Sequence, residues 1–297
     1  MRYNHTSMEL QQLRYVVAVA EEKSFTRAAQ RCFVVQSALS HQIKAVEQEI
    51  GIALFARSSR RVELTTAGAV FVEYARESLA AAERAYLGAL AAEGQVQGRL
   101  RIGVIPTVTA VDIPGVLAQF HRDYPQVKIE LRSGGSEQFI EDIHAHHLDI
   151  AFLGLAENAQ PSRVDFRELS RESLVAVVSP DHPLREEKKI SLADIASERF
   201  VDFPMNSAGR AQTDMAFERA GLVREVAFEV TAIDLMLALI RAGLAVGLLS
   251  KQCVPADDSL ATIAVEDGPA RVEYLAWSDF NTSPAAKAFL KALIPNF

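Results

Sequence analysis

The sequence predicts an α/β protein carrying a basic helical head: an N-terminal winged helix-turn-helix, a long linker helix and a two-lobed body. Three observations predict it. Two short helical patterns separated by a tight break lead into a basic turn near residue 60. An alanine-rich helical stretch follows, and from Arg99 onward short apolar runs alternate with helical ones, the mark of α/β folds with largely parallel sheets. At 297 residues the chain exceeds the size at which a single core stops growing.

The elements follow in order. Leu10, Leu13, Val16, Val17 and Ala20 recur at helical spacing and predict a helix over 10–22 with one buried face. Ser24 is a good N-cap for a second helix through Ala28, Ala29 and Cys32. A break at Phe33-Val34-Val35 leads into a third helix from Gln36, which buries Leu39, Ile43 and Val46 and stops near Gly51. Residues 54–64 read as a hairpin with apolar arms and a basic tip, Arg57 to Arg61. Thr65 or Thr66 caps the alanine-rich helix over 67–92. Its apolar positions, among them Val70, Tyr74, Leu79, Tyr86 and Leu90, wrap so much of its surface that it needs a partner. Gly94 to Gly98 form a joint.

In the body, strands are predicted at 100–105, 127–131, 150–155, 174–178, 200–203, 226–230 and 244–249. Helices are predicted at 114–124, 136–146, 207–220 and 232–242. The domain boundaries expected are 8–65 for the head, 66–94 for the linker helix and 95–297 for the body. The first lobe takes 99–163 and 269–297, the second 164–268. Ligands of open α/β sheets bind at the carboxyl ends of strands.

The net charge of −7 conceals an asymmetry. Residues 1–65 hold nine Lys/Arg against six Asp/Glu, a balance of +3, which leaves −10 on the rest. A basic module on an acidic body points to double-stranded DNA as partner of the head. A helix-turn-helix lays the start of its second helix in the major groove, and Gln is one of the few side chains that pairs bidentately with adenine. Gln36, Ser37, Ser40 and His41 occupy that start, and the basic tip would lie as a wing beside the DNA backbone.

These residues carry a family resemblance. Leu10, Leu13, Phe25, Ala28-Ala29, Gln36, Ala38-Leu39-Ser40, Gln42-Ile43, Glu47, Gly51, Leu54-Phe55, Arg57, Arg60, Leu64-Thr65 and Gly68 resemble the head of LysR-type transcriptional regulators. The body is similar in pattern, with Leu148-Asp149-Ile150-Ala151 and Ala242-Gly243-Leu244-Ala245-Val246-Gly247 as its signatures. The resemblance implies a periplasmic-binding-protein-like body that takes a small effector between its lobes. It also implies DNA contacts by Gln36, Ser37, Ser40 and His41, with Arg60 entering the minor groove; Arg57 has a weaker claim. The linker helix would pair antiparallel with a second copy, giving a dimer or a tetramer on promoter DNA.

By the same resemblance Pro106, Thr107, Ser136, Phe203 and Thr231 line the effector cleft. Thr107 and Ser136 are expected at helix N-termini, whose free N–H groups suit a carboxylate or another anion; their hydroxyls would also serve as caps. Two departures from the family are visible. Val35 stands where a polar N-cap is usual, at a cost of about 1 kcal/mol, and Cys32 stands where leucine is usual, reading as a small core residue. His146 replaces a helix-ending glycine, so left-handed backbone is expected there.

Other classes are disfavoured. No phosphate loop, nucleophile elbow or metal-ligand cluster is visible, so no catalytic residue, cofactor or metal is expected and the chain reads as a non-enzyme. His144 and His147 share a helix side but have no further ligand. No apolar run spans a bilayer. Residues 1–7 lack a signal-peptide core, Met8 is a candidate start, and a reducing cytoplasm is the expected home. Cys32 and Cys253 fall in different domains, so the cysteine pair that the family's peroxide sensors keep in the body is missing. The competing reading is a small-molecule binding protein whose head is secondary. It would have been favoured by loss of Gln36 and Arg60, and both are present.

Overall fold

The computed structural model describes residues 8–57, 62–278 and 282–294, with the side chain of Arg57 outside the description. The chain divides into two compact units, the first ending at Gln95 and the second beginning at Val96.

In the first unit, α1 (Leu10–Glu22), α2 (Phe25–Arg31) and α3 (Gln36–Ile50) surround one core. Ser24 caps α2 through the Arg27 N–H, and Gly51 ends α3 in left-handed backbone at φ 72°. Leu39, Ile43 and Val46 are buried as their spacing predicts. The buried face of α1 is Leu13, Tyr15, Val16, Ala18 and Val19, whereas Leu10 is exposed. The predicted stripe was too narrow, because α1 is covered on two sides, by α2 and α3 and by the linker helix.

Strands β1 (Phe55–Arg57) and β2 (Val62–Leu64) pair antiparallel, Ala56 opposite Glu63. Helix α3 holds this hairpin directly: Glu47 Oε1 accepts from the N–H groups of Leu54 and Phe55 at 2.9 and 3.2 Å. Thr65 Oγ1 donates to the Ala53 carbonyl at 2.8 Å and caps α4 (Thr66–Ala92) by accepting from Gly68 N at 2.9 Å. A Cβ on Gly68 would sit 2.0 Å from the Leu54 carbonyl oxygen, which explains glycine at that contact. Along α4 only Gly68, Val72 and Ala75 are buried; Val70, Tyr74 and Tyr86 are exposed.

The second unit opens with β3 (Gly98–Val104), α5 (Ile113–Asp123), β4 (Val127–Ser133), α6 (Ser136–His144), β5 (Ile150–Ala156) and β6 (Asp165–Ser173). There follow β7 (Val175–Val178), β8 (Lys189–Ile190), α7 (Leu192–Ile195), β9 (Arg199–Asp202), α8 (Ala208–Arg219), β10 (Glu225–Glu229), α9 (Ile233–Arg241) and β11 (Gly247–Leu249). A 3-10 turn (Lys251–Cys253), β12 (Ala261–Val265), β13 (Ala270–Trp277) and α10 (Pro284–Leu293) complete it.

Among the described residues the first-lobe sheet has the order β4-β3-β5-β13-β6. β3 is parallel to β4 and β5, and β13 is antiparallel to β5 and β6. Every residue of β5 is buried, as expected for a central strand covered on both faces. One face packs on Phe120 and Phe289, whose rings meet edge to face at 5.2 Å. The second lobe has the order β11-β7-β12-β8, with β9 and β10 parallel and joined to it by the bridge from Phe200 to Val246.

Two expectations need correction. The sheets are mixed, since antiparallel pairs hold β13 in one lobe and β7 in the other. The lobe boundary falls near Leu174, ten residues beyond the expected 164, because β6 lies in the first-lobe sheet, paired along β13. β6 is a charged, largely exposed edge strand, the type that resists edge-to-edge association and leaves no apolar run to read. The chain thus crosses between lobes twice, and the crossings touch: Leu174 N–H donates to the Pro269 carbonyl at 2.8 Å.

Candidate nucleic-acid interface and effector cavity

Gln36, Ser37, Ser40 and His41 fall on the first turns of α3, with Gln36, Ser37 and His41 exposed and Ser40 half-buried. No side chain caps α3: Val35 offers no acceptor, as its chemistry dictates. The amide of Gln12 donates to Gln42 Oε1 at 3.0 Å and fixes that side chain beside the exposed turn. Arg31 pairs with Glu21 and Glu22 at 2.7 and 3.4 Å. Arg60 lies outside the described residues, as does the side chain of Arg57.

In the second unit, Pro106, Thr107, Ser136, Phe203 and Thr231 all line one cavity of about 600 Å³ between the lobes. Loops at the carboxyl ends of β3, β4 and β9 supply most of its wall, and Leu248, Leu249 and Ser250 close it from the second lobe. Three helices begin there. α8 is capped by Ser207, which accepts from Arg210 N, but the caps of α6 and α9 are Gly135 and Ala232, which offer no side-chain acceptor. First-turn N–H groups at such ends favour negative charge.

Two roles foreseen from sequence change. The Ser136 hydroxyl neither caps α6 nor stands free: it donates to the Gly154 carbonyl at 3.1 Å and accepts from Gly154 N at 3.0 Å. It is 2% exposed and clamps α6 to β5. Thr107 does not open a helix, since α5 begins at Ile113 with Asp112 as cap; its carbonyl instead accepts from Arg271 Nη2 at 2.7 Å.

Sequence reasoning missed Arg271. It is the charged side chain of the cavity wall, yet only 3% exposed. Its Nε donates to Glu172 Oε1 at 2.8 Å, and Nη2 also meets the carboxylate of Glu273. Glu273 is buried and takes Thr109 N, Thr109 Oγ1 and Ala110 N at 3.1, 2.8 and 3.0 Å. Cys253 lies beside this cluster, its Sγ 3.9 Å from the Thr107 carbonyl, and burial pushes its thiol above the ordinary range against the pull of Arg271.

The histidines stay apart from this chemistry. His146 takes φ 59°, as its place at a helix end suggested, His144 contacts Arg163 and His147 lies 3.7 Å from Asp142. Among the described residues no group of three metal-binding side chains assembles, and no helix is long and apolar enough to cross a membrane.

Comparison with known proteins agrees with both units. Residues 10–69 match the bacterial regulatory helix-turn-helix protein, lysR family, and residues 93–297 match the LysR substrate binding domain. The chain is 34% identical over 293 residues to the uncharacterized HTH-type transcriptional regulator YnfL of Escherichia coli K12, covering 95% of this chain and 97% of that protein. It is 31% identical to the hydrogen peroxide-inducible genes activator of Pectobacterium carotovorum, over 84% and 82% of the two chains. Among solved structures, a full-length OxyR variant from Pseudomonas aeruginosa superposes with a TM-score of 0.75 at 25% identity, covering 96% and 94%. Full-length CbnR in complex with its target DNA gives 0.65 at 25% identity, covering 96% and 98%. The chain therefore belongs to the LysR family of DNA-binding transcriptional regulators, with an N-terminal helix-turn-helix and a C-terminal effector-binding domain.

Proposed function

We propose that this regulator responds to a small carboxylate, or an anion of similar size, held in the cavity between the two lobes of its body. The carrying observation is the cavity wall: two helices, α6 and α9, begin there without side-chain caps. Thr107 and Thr231 supply further polar groups, while Pro106 and Phe203 form an apolar side. Glu172 and Glu273 offset Arg271, so anion recognition rests mainly on the helix termini.

In this reading Gln36, Ser37, Ser40 and His41 read base edges and phosphates of a promoter dyad, with Arg60 in the minor groove and Arg57 beside it. Two or four copies join through α4 and the body, working in a reducing cytoplasm. An effector that prefers one lobe arrangement shifts the population of states in which paired heads fit their sites.

The test is a thermal-shift and operator-binding screen of the intact protein with small mono- and dicarboxylates against their neutral amides. A cognate acid at roughly 100 times its Kd stabilises by about 2.7 kcal/mol and changes operator affinity. Amides that act as well as the acids, or no active anion at all, would overturn the anion reading. Gln36→Ala and Arg60→Ala each weaken specific DNA binding with the body still folded; unchanged affinity in both would remove the assigned contacts.

A further inference from the structure

Phe33 is 96% exposed, the most exposed large apolar side chain among the described residues. It sits in the turn between α2 and α3 with φ 55°, a left-handed conformation that is an outlier for a bulky residue. The backbone holds it there. Phe33 N–H donates to the Gln30 carbonyl at 3.1 Å and Val34 N–H to the Ala29 carbonyl at 3.0 Å, the paired bonds that close a helix through a left-handed residue. Glycine or asparagine ordinarily fills that place. Here the chain accepts both backbone strain and a phenyl ring in water, with nothing in the head gaining from the ring. Val35, 68% exposed, continues the apolar patch to the first residue of α3.

We infer that Phe33 is a DNA-contact residue that packs against a thymine C5-methyl group at the major-groove edge. The patch is continuous with the start of the helix that family membership assigns to the groove, and Phe33 is three residues ahead of Gln36. That chain length reaches at most about 11 Å, so the contact falls within roughly three base pairs of the one Gln36 reads. The thymine methyl is the apolar feature a phenyl ring meets in the major groove, and contact with it discriminates T·A from the other pairs. Backbone strain kept at such a point is a sign of function.

The experiment uses the full-length protein and a duplex dyad selected by it from a random pool. Phe33→Asn and Phe33→His suit the left-handed backbone better, so both raise the Tm of the chain. Both also weaken binding, by about 10-fold per half-site for Phe33→Asn, the scale of burying one phenyl ring. Replacing thymine by deoxyuridine, which removes only the methyl group, costs the wild type several-fold at one position in each half-site and costs Phe33→Asn nothing there. Wild-type affinity in Phe33→Asn would overturn the contact. So would weaker binding with no uracil-sensitive position, or lost transcription with intact DNA binding, the mark of a surface for the transcription machinery.

Discussion

Glu172 and Arg271 are register partners on β6 and β13, joined at 2.8 Å, and Glu172 Oε2 accepts from the Ser250 hydroxyl at 2.8 Å. Ser250 follows β11 of the second lobe, so one carboxylate ties the crossing strands to the cavity's far wall. Removing one partner of such a cluster leaves buried charge without compensation. Arg271→Met is expected to cost the body about 3–5 kcal/mol, read by urea unfolding of the intact protein. Adding Glu172→Gln should recover part of that loss, since Glu172 Oε1 loses its Arg271 donor whereas Glu273 keeps those from Thr109 and Ala110. A single mutant of wild-type stability would show the cluster to be idle.

Ser136 and Thr231 line the same cavity but should fail differently when trimmed. Ser136 has both hydrogen-bonding roles of its hydroxyl committed to Gly154. Ser136→Ala should therefore lower stability by about 1–3 kcal/mol through the strand it releases. Thr231 is exposed in the cavity wall ahead of α9. Thr231→Val should leave the unfolding free energy within about 0.5 kcal/mol of wild type and reduce the response to an effector. Thermal unfolding with and without ligand separates the two. Equal loss of stability in both mutants would contradict the assignment.

The contrast between these serine and threonine roles also marks what the sequence could reveal. The head was readable nearly residue by residue, because Ser24, Gly51, Thr65 and the Leu39, Ile43, Val46 stripe each act locally. The breadth of the buried face of α1 was not, since it depends on which elements arrive from elsewhere in the chain. β6 escaped notice because it is charged and exposed, and β13 because Arg271 and Glu273 interrupt its apolar run. Charged residues are almost never fully buried unless paired, and pairing across about a hundred residues leaves no local trace. Family resemblance points to the five cavity positions, but the commitment of the Ser136 hydroxyl to Gly154 depends on the three-dimensional packing of α6 against β5.

Cys253 sits against the Thr107 carbonyl beside Arg271, a setting where a cation alone would lower a thiol's pKa. Burial outweighs the cation, and the thiol is raised; Cys32 is raised for the same reason. Only the thiolate attacks alkylating agents or peroxide. Both cysteines should therefore react slowly with iodoacetamide at neutral pH, with rates climbing as pH rises and inflecting above the ordinary thiol range. Cys253→Ser should keep the regulatory response. Rapid labelling of Cys253 near pH 7 in intact-mass measurements would reverse this and reopen thiol-based sensing.

The linker helix supplies the last prediction. Val70 and Tyr74 lie one turn apart on α4 and are 51% and 63% exposed, while Tyr86 is 66% exposed farther along. Soluble helices seldom leave such residues bare along their length without a partner. If a second copy covers them around a two-fold axis, each substitution acts twice at the interface. Tyr74→Glu combined with Tyr86→Glu should then shift sedimentation toward the monomer, weakening association by at least about 100-fold on the scale of burying aromatic side chains. DNA affinity should fall with it, because one head grips one half-site and loses the other. An unchanged assembly mass in the double mutant would move the self-association surface off this helix.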